Sequence, residues 1–188
     1  MIVKTGRFGQ LTVSEEEIIR IPMGILGFPE LTEFCLVDPG DDTLILWLQS
    51  MQDSAIAFPL LEPKIFKPDY SARLSAAELR ELKLANISQS AVFSILTIPA
   101  DVMEMTANLK APLVINLKDQ LARQVVLQEN EYTVKHLMFK ELRQHLITIE
   151  SHRRLGRDTQ GEENLPPQVT PVAIKNIPPS MTVKSLQG

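Results

Sequence analysis

This 188-residue chain has one cysteine, few aromatic residues and no long apolar run. Each shortage removes a class of protein. Cys35 cannot form an intramolecular disulfide, and between Phe34 and Leu36 it reads as a small buried hydrophobe in a strand. Aromatic residues make up only 5% of the chain, with Trp47 the sole tryptophan. A barrel that binds single-stranded nucleic acid uses stacking platforms that such a composition scarcely supplies. Apolar runs such as residues 44–48 (LILWL) fall far short of the roughly 20 residues of a membrane helix. The opening MIVKTGRFGQ has no signal-peptide core. The expectation is a soluble, cytoplasmic protein with no membrane partner.

Catalytic patterns are missing too. There is no GxSxG elbow, phosphate loop or dinucleotide fingerprint, and Gly24-x-x-Gly27 is too short for one. No Cys or His pair has structural-zinc spacing. His145 and His152 share a face of a predicted helix but stand two turns apart, about 10 Å by helix rise. Glu15, Glu16 and Glu17 adjoin a strand, and Asp41 and Asp42 sit in a turn; neither group is an acid/base pair. A non-enzymatic protein without cofactor or metal is expected.

Charge points the same way. The net charge is −4. From Glu150 onward, five basic residues (Arg153, Arg154, Arg157, Lys175, Lys184) outnumber four acidic ones, so the first 149 residues carry −5. An acidic body repels phosphate backbones, and no direct nucleic-acid binding is expected of it.

What the chain does have is a series of short, strand-like apolar runs. Residues 2–4, 11–13, 18–21, 34–37, 44–49, 55–61, 92–98, 113–117 and 125–127 are rich in Ile, Val, Leu or Phe and bounded by Gly, Pro, Asp or Asn. Strands this close together, without helices between them, predict a mainly β fold: a single antiparallel β-barrel-like or sandwich-like domain over residues 1–133. One or two peripheral helices accompany it. Ser75-Ala76-Ala77-Glu78 is a capping box that starts a helix running to about Leu84, with Leu79 and Leu82 inward. Met138, Leu142, Leu146 and Ile149 form an apolar stripe on a C-terminal helix assigned to 134–156. Residues 157–188 contain five of the thirteen prolines and no aromatic residue, and are read as a disordered or partner-ordered tail.

Two segments carry the most information. In IPMGILGF (21–28), Pro22, Gly24 and Gly27 impose an irregular path that presents Ile25, Leu26 and Phe28. These residues fold into a core corner, form an apolar lip beside a partner groove, or both. In TANLKAPLVIN (106–116), Asn108 is suited to tying down its own loop, Leu109 is apolar, Pro112 marks a strand entry, and Asn116 lies mid-strand. The candidate partner-binding set is therefore Ile25, Leu26, Phe28, Asn108, Leu109, Pro112 and Asn116.

Over residues 1–133 the chain resembles the FliW family of flagellar assembly factors. The resemblance rests on Arg7-Phe8-Gly9, IPMGILGF, Leu48-Gln49-Ser50 with Asp53, Ala57-Phe58, Pro63, Tyr70, NLKAPLVIN, and Arg123-Gln124-Val125-Val126-Leu127 with Tyr132. Their order and spacing along one chain make the joint signal specific. Ile21 stands where the family commonly has an aromatic residue, and the residues beyond about 150 extend past the usual family end. The resemblance implies a barrel-like antiparallel fold and a protein, monomeric when unbound, that binds flagellin in the cytoplasm. Alternatively it binds the translational repressor CsrA. In that scheme, secretion of flagellin frees the protein to sequester CsrA, which releases flagellin mRNA for translation. A competing reading is a small-molecule-binding β-barrel, or an enzyme with a dispersed site. It predicts a deep enclosed pocket with convergent polar groups and perturbed pKa values.

Overall fold

A computed structural model describes residues 1–40, 44–144 and 169–172. Seven strands close into a barrel: β3 (Ile18–Arg20), β4 (Glu33–Asp38), β5 (Leu46–Ser50), β6 (Ala57–Leu61), β7 (Ser90–Thr97), β9 (Leu113–Asn116) and β10 (Leu121–Gln124). Their order around the ring is β7-β6-β5-β4-β3-β10-β9, with β9 returning to pair with β7. Every junction is antiparallel except one: β10 meets β3 in parallel, at Leu121 opposite Arg20. Closure removes most of the exposed edge that an open sheet would carry. A hairpin of β1 (Ile2–Thr5) and β2 (Gly9–Thr12) stands outside the ring, and β8 (Thr106–Ala107) pairs antiparallel with the end of β7.

Side chains alternate across each strand, and the alternation sorts the apolar residues into three cores. Ile19, Phe34, Leu36, Leu48, Leu60, Ala91, Phe93, Leu113, Ile115 and Ala122 come from all seven ring strands and fill the barrel interior. Their neighbours in sequence face outward. Ile18, Cys35 and Val37 pack under the β1–β2 hairpin with Val3, Leu11 and Val13. On the other flank Leu61, Leu96 and Val114 are covered by the segments around Tyr70, Leu82, Leu127 and Met138. Several ring strands are thus buried on both faces, which explains why they read as continuous apolar runs.

Four expectations change. The second strand of the 113–127 hairpin is Leu121–Gln124, not the apolar run 125–127. That run continues alongside residues 110–112, with Val125 N donating to Pro112 O and Leu127 N to Lys110 O. The helix α1 (Ala76–Glu81) ends short of Leu84, because Lys83 turns left-handed at φ 55°. Its capping box is present, and Leu82 is buried. The C-terminal helix begins at 139, not 134. Before it, β11 (His136–Leu137) pairs with β8, and Met138 N donates to Met105 O. Within the segment read as a disordered or partner-ordered tail, β12 (Thr170–Pro171) pairs with β4. Residues 41–43, 145–168 and 173–188, including His145 and His152, lie outside the described residues.

Candidate functional site

The two informative segments meet in space, and Gln124 joins them. Its Oε1 accepts from Leu26 N at 3.0 Å, and its Nε2 donates to Ala111 O at 3.0 Å. The 21–28 loop is fixed in other ways as well. Gly24 has φ 65°, and a Cβ there would stand 2.6 Å from Pro29 Cα and closer still to Phe28 O, so glycine alone fits. Gly24 N donates to Ile21 O, and Phe28 N to Ile25 O.

This path divides the loop's side chains. Ile25 turns inward and is buried, and Phe28 packs edge-on against Phe58 at 5.4 Å. Met23 and Leu26 point out, 67% and 58% exposed. Pro22, Met23, Leu82, Leu121 and Ala122 line an apolar groove of about 340 Å³, while Leu26 stands exposed on the same loop. The ion pair between Arg123 and Glu81 forms its polar lip. A shallow apolar groove flanked by exposed apolar side chains and one charged pair suits an apolar face of another protein.

Other members of the candidate set hold the fold. Leu109, Pro112 and Asn116 are buried. Asn108 Oδ1 accepts from Ala111 N at 2.9 Å, shaping its own loop. Asn116 donates through Nδ2 to Leu82 O and Asp119 Oδ2, while its Oδ1 accepts from Lys118 N; it ties the β9–β10 turn to the end of α1. The accessible part of the set narrows to Leu26, with Phe28 and Asn108 partly exposed. The candidate set leaves out Met23 and Arg123, although both lie in segments that carry the resemblance, and Glu81, which is 42 positions from Arg123.

Further motif residues are fasteners. The Arg7 guanidinium lies 3.7 Å over the Trp47 ring, and Phe8 meets that ring edge-on. Gln49, fully buried, donates to Ser50 O and Ile56 O across the β5–β6 turn. Tyr70 Oη donates to Leu109 O, and Tyr132 Oη accepts from Ser71 N. Shifted titrations have structural causes as well. Burial, then Glu17, push the Cys35 thiol up to about 12. Burial, then Tyr132 and Glu129, raise Tyr70. A hydrogen bond from Lys67 lowers exposed Asp69. A second groove of about 190 Å³ beside Tyr70 and Ser90 is open, and those hydroxyls already donate to Leu109 O and Ile87 O. Among the described residues the barrel interior is occupied by its own side chains, which counts against a ligand cavity there.

The family model described as "FliW protein" matches residues 2–138. The chain is 44% identical over 147 residues to a flagellar assembly factor FliW from Bdellovibrio bacteriovorus, covering 78% of this chain and 84% of that protein. A second, from Alkaliphilus metalliredigens, is 38% identical over 143 residues, covering 76% and 88%. Among solved structures, a crystal structure of the flagellar assembly factor FliW superposes with a TM-score of 0.70 at 34% identity, over 74% of this chain and 97% of that one.

Proposed function

This chain belongs to the FliW family of flagellar assembly factors, and we propose that it serves flagellar assembly as a non-enzymatic, partner-switching binding protein. One partner is flagellin, held in the cytoplasm before export. The other is the translational repressor CsrA, held when flagellin is scarce.

The observation that carries the reading is the apolar groove lined in part by exposed Met23, with Leu26 exposed on the same loop. Flagellin's terminal segments are amphipathic helices, and such helices dock by placing apolar side chains at i and i+3 or i+4 into a groove of this kind. The Arg123–Glu81 pair at the rim gives polar partners for residues flanking that stripe. CsrA reads RNA through a basic surface, to which a body of net charge −5 is complementary. Once docked, the same charge raises the energy of approaching phosphates without covering the RNA site. The unbound protein is proposed to be a monomer.

The test is competition between the two partners for the purified chain. Titrating flagellin into the complex with CsrA is expected to release CsrA, since two ligands that favour different occupancies of coupled surfaces weaken each other reciprocally. Simultaneous binding at undiminished affinity contradicts partner switching.

A further inference from the structure

The barrel leaves one stretch of edge uncovered by its own strands. β3 pairs with β4 only from Glu33 to Cys35, so on that side residues 36–38 of β4 have no neighbour within the ring. β12 takes this place. Thr170 lies opposite Asp38 and Pro171 opposite Val37, antiparallel, and Val172 N donates to Leu36 O at 2.9 Å. Val172 also packs against the interior core. The strand comes from outside the part of the chain that the family model matches, which ends at residue 138.

Its sequence suits an edge. Backbone N–H groups alternate in direction along a strand, so with that of Val172 facing β4, the nitrogen of residue 171 faces away. That position is proline and has no N–H to offer. β12 therefore satisfies the edge of β4 while its outer edge lacks a donor at Pro171, which discourages another strand from adding.

We propose that residues 36–38 of β4 form a strand-acceptor site for extended peptides, whose resident ligand is this chain's own segment 169–172. The class of ligand follows from the pairing: a β-branched peptide in extended conformation, with an N–H directed at Leu36 O. Because the resident strand is tethered, its local concentration exceeds that of a free peptide at micromolar levels. A segment of another protein gains the site only by displacing it. The tail thereby acts as a gate on this edge, independently of whether flagellin uses the apolar groove.

The test uses the full chain. Val172→Pro removes the donor to Leu36 O and leaves the ring strands untouched. A fluorescent peptide spanning residues 166–175 (PPQVTPVAIK) is titrated into wild-type and V172P proteins. The V172P protein is expected to bind it at least tenfold more tightly than wild type, and a peptide with proline in place of that valine is expected not to bind. In the wild-type chain the Val172 amide is expected to be protected from hydrogen exchange. Equal binding to both proteins, binding to neither, or an unprotected Val172 amide overturns the proposal.

Discussion

Cys35 lies at the junction of the barrel and its hairpin, fully buried with Val3, Val13 and Val37. Its thiol is pushed from 9.0 to about 12, first by burial and then by Glu17. The folded state therefore keeps a neutral thiol at pH values where the unfolded chain ionises it. Stability from this source is complete below pH 9 and is lost as the pH rises toward 12. Each pH unit in that window costs about 1.4 kcal/mol. Between pH 9 and 10.5, wild type is expected to lose about 2 kcal/mol more than Cys35→Ala, measured by urea unfolding at both values. Tyr70, also raised, leaves a residual slope in both proteins. Identical slopes would remove Cys35 as a cause. The burial of Cys35 was legible from its apolar flanks; the proximity of Glu17 was not, because it depends on β3 pairing with β4.

Among elements, the 21–28 loop depends on β10 through Gln124. Gln124→Leu keeps the side-chain volume roughly but removes the acceptor for Leu26 N and the donor to Ala111 O. The expected result is a loss of about 1–2 kcal/mol in stability, with faster hydrogen exchange at Leu26 than at ring-strand amides. Unchanged exchange at Leu26 would mean that the glycines alone hold the loop. Strands buried on both faces were readable because Phe34–Val37 and Leu113–Ile115 are unbroken apolar runs. β10 was misplaced because Leu121–Gln124 mixes polar and apolar residues, while the more apolar 125–127 lies just past the ladder. β8, β11 and β12 have two residues each, too few for any period to register. Within the site, Ile25 and Leu26 are alike in sequence and opposite in exposure. A turn set by Gly24 and Gly27 decides which of them faces water, and no periodicity encodes that.

For the whole molecule, a closed barrel packed with its own side chains leaves function to its surface. Three surface features stand out: an acidic body, an edge of β4 held by the chain's own tail, and the apolar groove at Met23, on the loop that also exposes Leu26. The groove is built from three separate parts of the chain, the 22–23 turn, the end of α1 and β10, which is why its membership was not visible in the sequence. The account stands or falls on it. Calorimetric titration of flagellin into wild type and the double variant Met23→Asp/Leu26→Asp tests it most directly. Both side chains are exposed, so thermal unfolding should remain within a few degrees of wild type. Affinity is expected to fall by roughly 30-fold or more, as for the loss of interface anchors worth about 2 kcal/mol or more. An unchanged affinity in a variant of wild-type stability would contradict the assignment of this groove as the flagellin-binding surface.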